Sequence, residues 1–494
     1  MHRFRFSVLF WLMIGGAGSP ARADEQRMLE LERQIEAQAE ELKSLRERIE
    51  RLGEIEGPVE DLESNLCTGG DLHRTPLVCE LTPEDGCDLS GNDQGLRVRR
   101  LDYEAAYENG FWLRPFDPEK NPFALRINGW IQMRHHAFAR TSDTWTDNAG
   151  LVHPIADRNA FDIERGRLLF SGHAIDERLT YFLHLDGDTD GRSNVDFFDY
   201  WWAWRFDEDF QLQMGKRKVP FGRQWLLSAR HTRLADRPMA IDFFRPDRST
   251  GIAGMGTVWA RGRYEWMISN GYSTANLAPE DGDTRLTLAV TNYFDFGESL
   301  GDQLVDYQWS EDPAVRLGHS FVFSPQASEL NQDPLDEIQF IRLGDGTRLT
   351  GFGSLAPLAT VNQFDVWMYG LDGAFQYRGW SLNSEACFRW IEDLSGTGPV
   401  PEKGIFQWGS YIEGGKFLIR RKLDLNLRYS HVYDRFGSGQ ETAVGSNWFP
   451  VDDSRMKVTF DVAHLNSSPL QSTASDILVG DDGFLFRTQF QAEF

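Results

Sequence analysis

The chain is poor in three things: cysteine, long apolar runs and positive charge. Its 494 residues include four cysteines, and 75 acidic side chains against 51 basic ones give a formal net charge of -24. Beyond the N-terminus no run approaches the ~20 apolar residues that a membrane-spanning helix needs. Any membrane-embedded part must therefore be a β-barrel, because lipid cannot satisfy open backbone hydrogen bonds.

The charge balance and the cysteines exclude further classes. A net charge of -24 argues against a nucleic-acid partner, which requires a basic footprint. Cys67, Cys79 and Cys87 crowd one segment and Cys387 lies far away. An exported chain permits disulfides, but the odd number leaves the pairing open. A cysteine metal site is less favoured, because only His73 lies at a usable spacing. We predict no cofactor and no metal.

The N-terminal residues indicate export followed by a helix. Arg3 and Arg5 precede the apolar run 6–17, and Ala21-Arg22-Ala23 offers small residues for cleavage, so we predict a Sec-type signal peptide over residues 1–23. Heptad spacing then predicts a coiled coil over 24–52, with a solvated helix packed on its own domain as the alternative. Its a and d positions are Met28, Leu31, Ile35, Gln38, Leu42, Leu45, Ile49 and Leu52. Residues 53–122 follow as an acidic, cysteine-containing linker.

The last stretch of the chain, Phe484 to Phe494, alternates strictly between two faces. Phe484, Phe486 and Phe490 share one face with the terminal phenylalanine, and polar residues such as Arg487 occupy the other. Period-two alternation indicates a strand. A soluble strand rarely places an apolar residue at the free carboxylate, whereas the closing strand of a transmembrane barrel would. An edge strand of a soluble sandwich is the alternative.

Alternating segments of this kind recur from residue 123 to the end. They lie near 123–134, 161–174, 179–186, 195–206, 210–218, 251–260, 263–270, 284–294, 314–323, 362–378, 380–390, 404–419, 422–433, 455–465 and 484–494. Allowing for a missed or split segment, this gives about 14 to 16 strands. Tyr200, Trp202, Trp204 and Phe206 line one face of a single strand, which is typical of a membrane interface. The predicted fold is all-β: a transmembrane antiparallel β-barrel of about 16 strands over 123–494.

Several segments resemble the phosphate-selective porins of the O and P type. The resemblance rests on Phe161-Asp162-Ile163-Glu164-Arg165-Gly166-Arg167-Leu168, on Asp199-Tyr200 and on Met214-Gly215-Lys216-Arg217-Lys218-Val219-Pro220-Phe221-Gly222. Weaker matches are Gly129-Trp130-Ile131-Gln132, Asn270-Gly271, Glu385 and Leu427-Arg428-Tyr429-Ser430. The resemblance implies a 16-stranded outer-membrane barrel, a homotrimer, and a pore that binds phosphate or other anions.

The resemblance also implies residue roles. Lys218 would match the pore lysine and Asp199 its acidic partner, while Arg165 and Arg167 would join an arginine ladder. This chain departs from the pattern at Glu164, where the family usually has a second arginine, and the departure argues against strong phosphate specificity. Alternation along the strand would also point Lys218 outward, so we predict a bulge at Gly215 that resets the faces.

Charge is sorted along the chain independently of any family. The segment 216–248 carries nine cations, namely Lys216, Arg217, Lys218, Arg223, Arg230, Arg233, Arg237, Arg245 and Arg248, against three anions, Asp236, Asp242 and Asp247. Pores for anions use such linings, so we predict a loop folded into the lumen. A basic loop on lipid headgroups or on acidic neighbours is the alternative. The candidate anion-binding residues are Lys216, Arg217, Lys218, Asp199, Arg165, Arg167, Arg223, Arg230, Arg233 and Arg237.

These observations predict an outer-membrane porin for passive diffusion of small anions such as phosphate, with lipid and its own copies as partners. No His or Ser stands in a recognisable nucleophile motif, so we predict no enzymatic activity. Two alternatives remain open. One is a weakly selective general porin for small polar solutes. The other is a structural tether between outer membrane and cell wall, with the barrel as its anchor.

Overall fold

The computed structural model describes residues 102–189, 195–259, 261–270, 286–327 and 341–494. The predicted signal peptide, the coiled coil over 24–52 and the cysteines of the linker lie outside these residues. Within the described ranges, no helix has both the length and the apolar character needed to cross a membrane.

The described chain is almost entirely β-structure, as predicted. In order the strands are β1 (Tyr103–Tyr107), β2 (Phe111–Pro115), β3 (Phe123–Arg140), β4 (Thr144–Thr146), β5 (Val152–Pro154), β6 (Arg158–Ala174), β7 (Asp176–Gly187), β8 (Val195–Arg205), β9 (Phe210–Lys218), β10 (Arg248–Val258), β11 (Gly262–Asn270), β12 (Leu286–Gly297), β13 (Ala314–Ala327), β14 (Thr360–Tyr377), β15 (Trp380–Thr397), β16 (Gly404–Ile419), β17 (Leu423–Asp434), β18 (Gly437–Trp448), β19 (Met456–Asn466) and β20 (Gly483–Glu493). The helices are α1 (Arg223–Leu226) and α2 (Met239–Phe244), with a 3-10 turn at Ala229–His231 between them.

Sixteen of these strands, β3 and β6 to β20, form one closed antiparallel barrel. Each pairs with the next, and β20 returns to β3 with Gly483 opposite Arg140 and Glu493 opposite Trp130. Phe494 extends this seam, because its backbone N–H and C=O both bond to Gly129, at 3.0 and 3.2 Å. The predicted closing strand is confirmed. The periplasmic end of such barrels has short turns. The connections at the end that carries Phe494 are mostly short, so we call this end periplasmic.

The two faces of the strands divide as the sequence predicts for a wall between lipid and lumen. On β20, Phe484 and Phe486 are 43% and 46% exposed, whereas Arg487 and Gln489 are 2% and 0% exposed. Tyr200 and Trp202 likewise face outward. The barrel strand absent from the predicted set is β18, whose sequence GSGQETAVGSNW is too rich in small polar residues to show an apolar alternation.

A small hairpin precedes the barrel. Its two strands, β1 and β2, pair with each other, and β2 continues the seam where β20 ends, with Phe111 opposite Ile127 and Leu113 opposite Leu125. Trp112 lies under the guanidinium of Arg114, 4.3 Å from the ring centroid. This hairpin falls in the segment 53–122 that we interpreted as a linker, and residues 111–113 of it pair with the first barrel strand.

Residues 219–247, between β9 and β10, fold into the lumen and are called the inward loop. Backbone N–H groups of the loop bond to the far wall: Ala235 to Asp461 at 2.7 Å, Met239 to Glu441 at 2.8 Å and Ala240 to Ser430 at 3.0 Å. The three acceptors lie on β19, β18 and β17. The predicted inward course of the basic loop is thus observed.

Part of the lumen on that wall holds a buried apolar cluster. Leu234 and Phe244 of the inward loop join Val432, Leu465 and Leu485 of the wall in one buried cluster. Residues 341–359 and 467–482, which follow β13 and β19, add Leu343 and Leu470 to it. Buried polar residues such as Arg428, Glu441 and Asp461 lie on the same wall, so three loops and both polar and apolar side chains fill this part of the lumen.

Candidate anion site

A cavity of about 950 Å³ lies on the opposite side of the lumen, between the inward loop and the wall from β3 to β11. Ten basic side chains line it against seven acidic ones, an excess of three in a chain with a net charge of -24. The basic residues are Arg126, Arg165, Arg167, Lys216, Arg217, Lys218, Arg230, Arg237, Arg245 and Arg248; the acidic residues are Glu164, Asp186, Asp188, Asp196, Asp199, Asp247 and Glu265. The cavity therefore inverts the charge of the chain as a whole.

Glycine at position 215 explains how three consecutive cations reach this cavity. The predicted bulge is not found, because the register runs without a shift from Met214 to Lys216 against β10. Instead Gly215 has φ +138°, and a Cβ there would lie 2.3 Å from the carbonyl oxygen of Tyr200. This left-handed backbone is open to glycine alone at little cost. Beyond it Lys216, Arg217 and Lys218 all line the cavity, although alternation would separate them.

Lys218 and Arg237 are held by carbonyl groups of the inward loop. The Lys218 ammonium donates to Trp225 O, Leu226 O and Leu227 O at 2.8, 3.2 and 2.9 Å. Arg237 donates to Leu227 O at 2.9 Å. Within the described residues, neither side chain has a carboxylate partner within 4 Å. Backbone carbonyls therefore fix both side chains in place at the cavity.

The indole of Trp225 organises these cations. Lys218 Nζ lies 4.9 Å from the ring centroid, and the guanidinium carbons of Arg237, Arg245 and Arg248 lie 5.4, 5.2 and 5.6 Å from it. The ring quadrupole offsets part of the repulsion among like charges. A buried tryptophan at the start of the inward loop thus keeps four cations on one side of the cavity.

Asp199 has a different partner from the one the family resemblance implies. Its carboxylate accepts from Arg248 Nε at 2.9 Å, and His184 Nδ1 lies 3.1 Å from its other oxygen. Arg248 also covers the ring of Phe198, at 3.4 Å from the centroid. Asp199 does not pair with Lys218, because the lysine turns toward the loop carbonyls while Arg248, opposite it on β10, takes the carboxylate.

Arg165 and Glu164 both enter the lumen because β6 carries a bulge between them. Gln132 opposes Arg165 and Met133 opposes Ile163, so Glu164 is the extra residue. Glu164 lies 3.3 Å from Arg134, and Arg165 lies 2.7 Å from Asp236. Burial opposes ionisation of Asp236, yet Arg165 and Arg134 hold the pKa of its carboxyl below the usual range. Arg165, a member of the predicted arginine ladder, is therefore engaged in ion pairs within the protein.

Three further predicted cations line the cavity as members of ion pairs. Arg167 pairs with Asp186 at 2.7 Å, and Arg217 pairs with Glu265. Arg230 pairs with Glu493 at 2.9 Å. Next to Arg230, burial and the neighbouring cations lower the pKa of His231 to about 3, so its neutral Nε2 can accept the Arg230 Nε–H at 2.9 Å.

Arg223 and Arg233 lie away from the cavity. Arg223 donates to Asn383 at 2.6 Å, and Arg233 donates to Asn426, Ser381 and Leu304 O, each at 2.6 Å. Both contact the far wall and the connection between β12 and β13. The sequence analysis grouped them with the pore cations, because the sequence shows how many charged residues a loop contains but not where each side chain points.

Sequence reasoning did not select Trp225, Arg248 or Glu265 as site residues. Arg248 stood in the basic segment and could have been chosen from its charge. Trp225 and Glu265 carry no local signal, because their roles come from contacts made across the lumen. No pattern along the chain brings Arg217 and Glu265 together.

One group of side chains could in principle ligate a cation. Donor atoms of His136, Asp162 and Asp476 lie within 4.8 Å of one another. Arg134 already donates to Asp476 at 2.9 Å, and His136 Nδ1 lies 2.9 Å from the same carboxylate. These contacts make the group part of the buried ion-pair network that ties residues 467–482 to the wall.

A closed sixteen-stranded barrel with an apolar outer face, an inward loop and a charged luminal cavity defines the class of outer-membrane porins. The family model of the phosphate-selective porins O and P matches residues 146–328, which include the inward loop and most of the cavity wall. The resemblance predicted from the sequence is confirmed by this match. The match and the barrel confirm the predicted outer-membrane location.

Solved structures of other porins show a distant likeness. An anion-selective porin from Comamonas acidovorans is 10% identical with a TM-score of 0.48, over 75% of this chain and 100% of that one. The outer-membrane channel DcaP of Acinetobacter baumannii is 9% identical with a TM-score of 0.48, over 75% and 97%. A trimer form of OmpT from Vibrio cholerae is 9% identical with a TM-score of 0.47, over 75% and 99%. No curated protein matches the chain.

Proposed function

We propose that the protein conducts small anions by passive diffusion through the 950 Å³ cavity, in preference to cations. The observation that carries this proposal is the pair Lys218 and Arg237, two cations held at the cavity by backbone carbonyls and by the face of Trp225. Because no described carboxylate pairs with them, their field extends into the path of the solute. Passage by diffusion needs no covalent chemistry.

The magnitude of the effect is sufficient for selectivity. One unit charge at 4 Å is worth about 1 kcal/mol in bulk water and about 4 kcal/mol at an effective dielectric of 20. A narrow, partly desolvated path lies between these limits. Two uncompensated cations therefore favour anions by several-fold or more, even though the chain as a whole is acidic.

We further propose that phosphate is admitted with only modest discrimination over chloride. Tight phosphate binding uses guanidinium groups that present free, paired donors to the oxygens. Here Arg165, Arg167, Arg217 and Arg248 direct donors to Asp236, Asp186, Glu265 and Asp199. Their donors are thus largely engaged within the protein.

The test is the reversal potential of purified protein in planar bilayers under a salt gradient. Replacing Lys218 and Arg237 together by glutamine should move the reversal potential toward cations, whereas Lys403→Gln, in an exposed stretch before β16, should leave it unchanged. Heat-modifiable gel mobility checks that each variant is folded. If the unmodified protein prefers cations, or if the folded double variant keeps its selectivity, the proposal is wrong.

We also propose a homotrimer in the outer membrane, which is what the family resemblance implies. Barrels of this class present an apolar belt to lipid and to neighbouring copies, and residues such as Leu427 and Val444 provide one here, at 62% and 57% exposure. Mass measurement of the detergent-solubilised protein tests this. A monomer or a dimer would refute it.

A further inference from the structure

The connection between β12 and β13, residues 298–313, departs from the rule that periplasmic turns are short. Other connections at this end are brief: residue 175 joins β6 to β7, residues 378–379 join β14 to β15, and residues 420–422 join β16 to β17. The connection 298–313 is long enough to fold back, and it folds into the barrel. We call it the periplasmic strap.

The strap is buried in its middle. Leu300, Leu304, Val305, Asp306 and Tyr307 are each less than 10% exposed. Tyr307 packs against Phe417 and Phe449, at ring-centroid distances of 6.0 and 5.0 Å. These two rings belong to the end of β16 and the residue after β18, so the strap crosses the periplasmic mouth beneath the wall opposite the cavity.

Polar contacts fix the strap to that wall. The Leu304 carbonyl accepts from Asn383 at 2.9 Å, and the Gln303 carbonyl accepts from Gln376 at 2.9 Å. The Asp306 carboxylate accepts from the Gly379 N–H at 2.6 Å and from the Ser310 N–H at 2.9 Å. Buried backbone groups that are satisfied in this way hold one geometry, because losing a partner leaves a desolvated polar group.

The inward loop rests on the strap from above. Arg233, which is 0% exposed, donates to the Leu304 carbonyl as well as to Ser381 and Asn426 of the wall. Arg223 contacts the Gln303 carbonyl at 3.5 Å and donates to Asn383. The two arginines that do not line the cavity thus connect the pore-lining loop to the strap.

The opposite side of the lumen stays open toward the periplasm. A second cavity of about 490 Å³ lies below the first, lined among others by Gln211, Thr257 and Arg263 near the periplasmic ends of β9, β10 and β11. Leu226, Met255 and Glu265 line both cavities. The two spaces meet at this point, where Arg217 pairs with Glu265.

We propose that the periplasmic strap closes the β14–β19 side of the lumen and seats the inward loop, so that solutes pass only along β8–β12, from the larger cavity through the Arg217–Glu265 junction to the smaller one. The strap is in this sense a positioning element for selectivity. The inference rests on the proposed function for the identity of the permeating solute. The closure of one side of the lumen can be measured independently of that function.

Cysteine accessibility tests the sealing directly. In a background with Cys67, Cys79, Cys87 and Cys387 replaced by serine, Gln211→Cys places a thiol in the open cavity, and Ser381→Cys places one above the strap. A small charged thiol reagent added on the periplasmic side should modify Gln211→Cys at least about tenfold faster, because a thiol behind the strap reacts only through local opening. Equal rates in protein with an intact strap would overturn the proposal.

A second variant tests whether the strap holds the inward loop in position. Replacing residues 300–307 by glycine and serine at constant length should make Ser381→Cys reactive, raise single-channel noise and conductance, and lower the anion preference. A folded strap variant with unchanged conductance and selectivity would overturn the seating of the loop. If the strap variant does not assemble, the comparison of Gln211→Cys with Ser381→Cys in the intact protein still decides the sealing. Reversal potentials of the unmodified protein report separately on the proposed function.

Discussion

The two sides of this lumen are built from the same alternating strands, yet they are occupied differently. Toward β3 and β6 to β11 the inner face borders a cavity rich in cations, whereas toward β14 to β20 it meets the inward loop, residues 341–359 and 467–482, and the periplasmic strap. Arg167 and Arg217 lie at the open side, and Arg428 lies fully buried on the filled side. The same residue type thus borders a cavity on one side and a packed interior on the other.

The difference shows that inward charge alone does not mark a pore. On the filled side Arg428 pairs with Glu413 at 2.9 Å and with Glu441 at 3.2 Å, all three side chains being inaccessible to solvent. Arg428 also donates to the Asp236 carbonyl at 2.8 Å, so these buried charges contact the inward loop. The proposed anion path therefore lies on the side where Lys218 and Arg237 line the cavity.

Both sides depend on closure of the barrel, so the largest effect is expected at the seam. Phe494→Asp puts a charge at an outward-facing terminus whose backbone pairs with Gly129, and burying an unpaired carboxylate in lipid is costly. We expect loss of assembly in the outer membrane, measured as loss of the heat-modifiable band, while Phe494→Leu should assemble. Normal assembly of the aspartate variant would contradict the membrane placement of this strand.

The second prediction compares how much stability is lost when an ion pair is removed from the filled side and from the exposed surface. Arg428→Leu leaves Glu413 and Glu441 buried without their common partner, and removing one member of a buried ion pair costs about 3–5 kcal/mol. Arg178→Leu removes an exposed pair with Asp176, 2.9 Å apart, where solvent screening leaves little change in the free energy of unfolding. Denaturant unfolding in detergent compares the two. Equal losses would mean that the filled side is not a packed interior.

A smaller change acts on the open side through the backbone. Gly215→Ala introduces a Cβ 2.3 Å from the Tyr200 carbonyl at φ +138°, and strain of this kind costs about 1–3 kcal/mol. We expect a folded barrel with a weaker anion preference, because Lys216 and Lys218 are redirected. Gly404→Ala is the matched control, since its nearest atom would be 3.5 Å away. A variant at 215 with the reversal potential of the control would show that this glycine does not position the cations.

Much of the barrel was predictable because lipid imposes a period of two that the sequence must carry. Phe484 to Phe494 shows that period clearly and was placed correctly, and the inward course of the basic loop followed from local charge inversion. The segment of β18 was not predictable, since its outward positions hold Gln440, Thr442 and Ser446 beside few apolar residues.

The site was predictable in composition but not in pairing. The pairs Asp199 with Arg248 and Arg217 with Glu265 join residues 49 and 48 positions apart, through strand register and lumen geometry. A bulge was expected at Gly215, because the sequence shows a conflict between the two faces of the strand without showing which backbone conformation resolves it. The strap carries no signal at all, since its residues become informative only when Arg233 is seen to reach Leu304.

The smallest effect concerns Glu164, which the sequence marks as an anion in place of an expected cation. It lies among Arg134 and Arg165, both of which keep Asp236 as a partner if Glu164 is lost. Glu164→Gln should therefore leave stability nearly unchanged while removing one negative charge from the cavity wall. Since a unit charge at 4 Å is worth about 1 to 4 kcal/mol across the relevant dielectric range, and this one is partly screened by its arginines, we expect a shift toward the low end. Phosphate block of chloride current should strengthen by a few-fold, measured in bilayers beside Glu392→Gln, an exposed carboxylate on β15. An unchanged block in the folded variant would mean that Glu164 is electrically silent and that its departure from the family pattern does not limit phosphate selectivity.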